Sequence, residues 1–259
     1  MTKIFALLSL SCLAVLGSFA QTTGTLTLSI GPDLPVGAFA SKNGNDPSSG
    51  LANIGELAAA SWWQPIRHMP FGVVGSVRFG MNGLSSKATL EPFEETEPAY
   101  QWSTGKNHWS SGAILAGPYY QAPLGRRLDL RVNLQAGAAL CDFASQSVRG
   151  IRDSVGFGPV DLIDATVGKA HVVTFAALAG AGLAYHLTRH WSLLLHAGYS
   201  YMHPTFRNLR VEIVNAQNLV VPGIVSLSNA TVIEESVYTR NYSQAMNSVD
   251  VTVGVGYSW

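Results

Sequence analysis

The sequence predicts an all-β fold, a closed eight-stranded antiparallel up-and-down barrel that spans a membrane, and three observations lead there. Charged residues make up 12% of the 259 residues, against roughly 25% in an ordinary soluble domain, and mean hydropathy is +0.19. Past the N-terminus no run of about 18 apolar residues is available to form a membrane helix. Apolar residues instead recur at every second position through one segment after another, the period of a strand with one greasy face.

The last segment shows this most plainly. Val249, Val251, Val253, Val255, Tyr257 and Trp259 fall on one face, and Asp250, Thr252, Gly254, Gly256 and Ser258 on the other. About eleven residues at roughly 3.3 Å each, tilted about 45°, cover about 25 Å, the height of the apolar band of a membrane barrel. Residues 191–203 alternate in the same way and follow residues 170–186 after a tight connection at 187–190. Residues 128–143 set Leu128, Leu130, Val132 and Leu134 against Asp129, Arg131, Asn133 and Gln135, and are joined through 125–127 to a strand at about 110–123. Residues 71–82 and 51–63 meet through 64–70, and residues 25–39 open the barrel, which completes the eight strands.

Connection lengths test that order independently. With both termini periplasmic, the second, fourth and sixth connections should be short. They fall at 64–70, 124–127 and 187–190, whereas the long ones fall at about 41–50, 84–109, 144–169 and 204–247. A soluble lipocalin-type barrel would need Lys and Glu on its outward strand positions, and these strands lack them.

Energy then fixes the phase of each strand. Turned outward, Arg131 would meet lipid at a cost of roughly 2 to 4 kcal/mol near the midplane. The same reasoning turns Glu56, Arg78, Asp129 and Asp250 inward with Arg131, as a lumenal network in which opposite charges pair. Eight strands leave an interior just wide enough for side chains, so the network is expected to plug the barrel.

Residues 1–20 read as a signal peptide: Lys3, an apolar stretch over 4–16, and small residues at Ser18 and Ala20 before Gln21. A lipoprotein alternative at Cys12 has only a short apolar stretch ahead of it. Cleavage after Ala20 makes residues 21–259 one barrel domain with Cys141 as its sole cysteine, so no intramolecular disulfide is expected.

The signal peptide, the alternating strands and the closing Tyr257-Ser258-Trp259 resemble the C-terminal insertion signal of bacterial outer-membrane β-barrels. Residues 28–39 and Gly117-Pro118-Tyr119-Tyr120 look like the small outer membrane beta-barrel domain proteins of Gram-negative bacteria, related in architecture to the OmpA and OmpX barrels. The resemblance implies residence in that outer membrane, contact with its lipids, and insertion by the barrel-assembly machinery through Val255, Tyr257 and Trp259.

Site chemistry is sparse. Lys and Arg (16) balance Asp and Glu (16), so no basic surface suits nucleic acid, and no cofactor or metal motif occurs. His108-Trp109-Ser110 has the His-x-Ser spacing of outer-membrane deacylases, without an acidic partner that the sequence can assign. The long connection at 84–109 carries Glu91, Glu94, Glu95 and Glu97 as a solvated face, then Tyr100, Trp102 and Trp109 as candidate loop contacts, Trp109 being assigned to the interfacial aromatic girdle. Residues 204–247 are too apolar for a free loop and suggest strands continuing beyond the membrane. The expected role is a non-enzymatic structural or surface-interaction barrel presenting four extracellular loops for adhesion, partner binding or envelope integrity. The alternatives are a narrow transport channel and a lipid-modifying enzyme.

Overall fold

The computed structural model describes residues 24–152, 160–218 and 230–259; the expected signal peptide, Cys12 and part of the apolar stretch after Val211 lie outside them. Thirteen strands are described. β1 (Thr25–Val36), β2 (Ala52–Pro65), β3 (Phe71–Leu84), β5 (His108–Pro123), β6 (Leu128–Asp142), β9 (His171–His186), β10 (Trp191–Met202) and β13 (Met246–Ser258) close into a barrel. Around the ring the order is β1-β13-β10-β9-β6-β5-β3-β2, every neighbour antiparallel. The short connections gather at one end, here called the turn end, and the long ones at the other.

The two-residue period sorts side chains as lipid requires. Leu28, Ile30, Phe79, Leu134, Val173, Phe175, Leu195 and Val253 stand exposed on the outer wall, while Thr27, Ser76, Arg78, Asn133, Gln135, His196, Asp250 and Thr252 are buried inside. Phe71, Tyr120, Tyr185, Trp191 and Tyr257 ring the turn end, with Phe79, Tyr199 and Tyr201 toward the other rim, where amphipathic rings suit the membrane–water boundary.

The long connections are more ordered than free loops. The strand expected through Phe39 stops at Val36, because Gly37 takes φ +60° and starts a single 3₁₀ turn. The connection after β3 forms helix α1 (Ser86–Thr96), whose N-cap Ser85 side chain accepts from the Ala88 N–H, and then β4 (Gln101–Thr104). The expected loop at 144–169 holds β7 (Gln146–Arg152) and β8 (Val160–Val167). β11 (Thr205–Asn218) and β12 (Ala230–Ser243) supply the strands anticipated beyond the membrane.

These strands make a second sheet in the order β12-β11-β8-β7-β4. That order repeats the barrel order β13-β10-β9-β6-β5, so the sheet is five strands of the wall carried past the rim. Breaks at Pro204, Gly168 and residues 244–245 mark where wall becomes sheet.

Glycine is required where strands crowd. A Cβ on Gly117 would lie 1.9 Å from the Leu134 carbonyl oxygen across the β5–β6 ladder. Gly117→Ala should therefore lower stability by on the order of 2 kcal/mol through overpacking, read in a urea titration of protein folded in detergent. An unmoved midpoint would mean the two backbones separate freely there.

Candidate functional site: the filled lumen and the sheet above it

At the turn end of the lumen, Asp129 accepts from Gln121 Nε2 at 2.7 Å and lies 2.7 Å from His186 Nε2. Arg131, 3% exposed, donates from Nε to Gln121 Oε1 at 3.2 Å and sets its guanidinium 5.2 Å from the Trp63 ring centroid. Trp63 meets Tyr119 edge-on at 5.1 Å and donates to Thr27 Oγ1 at 3.2 Å. Below this layer a cavity of about 460 Å³ opens outward, bordered by Tyr119, Asp129, His186, Arg189 and Trp259.

The middle layer is a polar network. Arg78 Nη2 is paired with Asp250 Oδ1, and His196 Nδ1 stands 3.6 Å from Asp250 Oδ2. Asp250 is 0% exposed. His196 Nε2 lies 3.2 Å from Asn133 Nδ2, Gln135 donates to Asn133 Oδ1 at 2.9 Å, and Ser76 donates to Gln135 Oε1 at 2.6 Å. Asp33 is buried opposite Asp250 in the β1–β13 register. The space left among Ser29, Arg78, Gln135, His196 and Thr252 is about 20 Å³, about enough for one water.

Above it the lumen becomes apolar. Trp109, 1% exposed, packs between Phe39 at 6.0 Å and Phe143 at 5.2 Å, stacks on Tyr242 at 6.3 Å, and donates from Nε1 to the Gly50 carbonyl oxygen at 2.9 Å. Phe206 meets Phe143 at 5.4 Å, and the Tyr242 hydroxyl donates to Gln244 Oε1 at 2.6 Å. Burial pushes the Tyr242 phenol up to about 12.

Beyond the rim, cross-strand ion pairs join β7 to β8. Arg149 Nη2 lies 2.7 Å from Asp164 Oδ2, and Arg152 pairs with Asp161, a hydrogen bond that holds the Asp161 carboxyl below the usual carboxylate range. Trp102 packs on Phe93 at 5.2 Å and on Tyr100 at 5.5 Å, and donates to the Glu97 carbonyl oxygen at 3.0 Å. Tyr100 and Trp102 thereby tie α1 to β4.

Of the residues predicted for the lumen, the structure joins Arg78 to Asp250 and places Asp129 and Arg131 one layer away. Arg131 has Gln121 and Trp63 as its neighbours and makes no ion pair among the described residues. Glu56 is a correction. It is exposed on the outer wall, because Gly55 and Leu57 take the inward phase of β2, and it shares a row with Pro32 and Met81. That row continues through Ser110, Asp142 and His171 and marks the polar rim, where a carboxylate pays no hydrocarbon penalty. Trp109 is a second correction, since it caps the lumen from within instead of joining the girdle. Val255 and Tyr257 face outward, Tyr257 edge-on to Trp191 at 5.1 Å, and Trp259 donates its N–H to the Gly24 carbonyl oxygen. Asp33, Ser76 and His196 were missed as network members, although their positions carry the inward phase.

The Ser110 hydroxyl donates to Asp142 Oδ2 at 2.9 Å. Neither His108 nor His171 hydrogen-bonds either group among the described residues. No imidazole therefore stands between hydroxyl and carboxylate, as a serine relay needs.

An apolar outer band, aromatic rims and a polar, filled interior define this closed barrel as a membrane-spanning protein of the outer-membrane type. No family model matches the chain, and no curated protein matches it. Among solved structures it is similar to the attachment invasion locus protein Ail of Yersinia pestis, at 11% identity over 92% of this chain and 99% of that one, TM-score 0.42. It is also similar to a major outer membrane protein of Thermus thermophilus, at 14% over 91% and 99%, TM-score 0.46. Neisserial surface protein A matches at 10% over 91% and 97%, TM-score 0.41. These are likenesses of chain trace, and the assignment of class rests on the barrel's own wall and lumen.

Two substitutions probe the lumen. Arg78→Met strands a buried carboxylate and should cost about 3 to 5 kcal/mol, most of which Asp250→Asn in the same chain should restore. A double variant as unstable as the single would show that the pair is not the source of the loss. Trp109→Ala should cost about 3 to 5 kcal/mol by opening a cavity, whereas an interfacial tryptophan would give a much smaller change in the same denaturant titration.

Proposed function

We propose that this protein is a non-enzymatic anchor in the outer membrane of a Gram-negative bacterium, and that it holds an interaction surface outside the cell. The observation that carries this is the wall itself: five strands of a plugged barrel continue, after short breaks and in the same order, into an exposed sheet. In this reading export ends with cleavage after Ala20, the turn end faces the periplasm, and the barrel-assembly machinery reads Val255, Tyr257 and Trp259. Lipids contact the outer wall, and the sheet meets an extracellular or envelope partner. The roughly 20 Å³ gap in the middle layer and the aromatic cap argue against a channel.

Protease added to intact cells should cut the sheet and spare the barrel. The protected fragment should migrate differently before and after boiling and fractionate with outer membranes. Purified protein in a planar bilayer should show no steady conductance at any salt concentration. Cleavage confined to the short turns would reverse the orientation, and a stable conductance of porin size would replace the anchor with a channel.

A further inference from the structure

We infer that the free edge of β12 pairs antiparallel with the β12 edge of a second copy of this chain, with Val237 on the twofold axis. The inference rests on the reading that the sheet lies outside the membrane, and it names the partner of that surface. β12 is the outermost strand of the sheet, with β11 on one side and no strand on the other among the described residues. Its edge is the upward continuation of the edge that β13 gives to β1. β1 leaves that line at Gly37, so the ladder stops and the backbone of β12 is left open.

An open edge is normally guarded by charges, above all Lys, by Pro, by bulges or by a short length, and the charges and register shifts of β12 leave its middle regular. β12 has fourteen residues and contains neither Lys nor Pro. The register with β11 skips Ile233 and Asn241, and between them pairing runs regularly from Glu234 to Arg240. Val232, Ile233, Val237 and Tyr238 are about half exposed (51, 59, 49 and 47%).

Charge decides the partner and the register. In a twofold-symmetric antiparallel pair, residues equally far before and after the axis stand opposite each other on the same face. With Val237 on the axis, Glu234 of each copy faces Arg240 of the other, Ser236 faces Tyr238, and Val237 faces itself. An axis at Tyr238 would set Glu234 against Tyr242, an axis at Ser236 would set Arg240 against Val232, and an axis at Glu235 would oppose like charges. Only the Val237 register sets Glu234 against Arg240, and it places the third charge, Glu235, opposite the neutral Thr239. Within its own chain neither Glu234 nor Arg240 has an ion-pair partner among the described residues, so both charges are free to do this.

The direction of β12 sets how the copies meet. Its Ser243 end adjoins the barrel and its Ala230 end is distal. Antiparallel pairing lays the barrel end of each β12 beside the distal end of the other. The barrels then stand at opposite ends of a joined ten-stranded sheet, an arrangement for copies in two facing membranes.

Disulfide trapping tests this on the exported chain, from which cleavage after Ala20 would remove Cys12 and in which Cys141 is buried within the barrel. Mild oxidation of detergent-purified Val237→Cys protein should give a covalent dimer, while Thr231→Cys should not. Glu234→Arg or Arg240→Glu added to Val237→Cys should each reduce trapping by about tenfold or more, and both together should restore it; all variants should keep the heat-dependent gel shift of the folded barrel. Equal trapping at Thr231, stronger trapping in Tyr238→Cys, or no recovery in the double reversal would overturn the pairing. When cells carrying two differently tagged copies are mixed, mixed-tag dimers are expected, and dimers confined to one tag would overturn the facing-membrane arrangement. A membrane-impermeant maleimide that fails to label the introduced thiol on intact cells, with trapping intact in detergent, would remove the surface location and leave the edge pairing standing.

Discussion

Lipid offers no hydrogen bonds, and the rest of this structure follows from that. Every backbone N–H and C=O at membrane depth must find its partner within the protein, so a sheet can cross only by closing on itself. Closure leaves each strand with one side in hydrocarbon and one in a lumen, which imposes the period of two. It also fixes what fills the inside. Eight strands enclose so little space that the inward side chains must pack as a core, and Gly31, Gly55, Gly117 and Gly137 stand where a Cβ would press on a neighbouring strand's backbone.

A core that must be packed need not be apolar, and this one is graded. Near the turn end and in the middle, buried charges have polar neighbours: Asp250 pairs with Arg78 and lies near His196, Asp129 meets His186 and Gln121, and Arg131 donates to Gln121 without an ion-pair partner among the described residues. Toward the sheet end aromatic rings take over, with Trp109 at their centre. The polar layers suit a wall of small residues and glycine, since long side chains from one strand can reach partners across the ring. The aromatic layer suits the wider mouth, where two long strand extensions and the 3₁₀ turn bring Phe206, Tyr242 and Phe39 over the opening.

All eight barrel strands were legible because hydrocarbon punishes any break in alternation. The rule loses its force at the rim, and both site errors lie there. The hydrocarbon penalty that would turn Glu56 inward holds at the midplane and lapses near the interface. Trp109 suits the girdle by being aromatic and next to a long connection. Its parity is that of Ala113, Leu115 and Tyr119, all of which face the lumen, so the strand phase carried the better signal. Beyond the rim no single rule governs the residues. The β7–β8 pair carries the ion pairs Arg149–Asp164 and Arg152–Asp161, which only the fold brings into register.

The shared strand order of wall and sheet also decides how the molecule bears a load. No linker separates the two, since β11 and β12 continue β10 and β13 with only a few residues between them. A pull on the distal end of the sheet therefore travels along the strands, across hydrogen bonds that lie perpendicular to them. The β10–β13 ladder, paired from Trp191 with Tyr257 to Met202 with Met246, is loaded in shear, all of its bonds together, instead of being peeled open one bond at a time. Tension on the sheet is thus delivered to the full height of the barrel wall, and through it to the membrane.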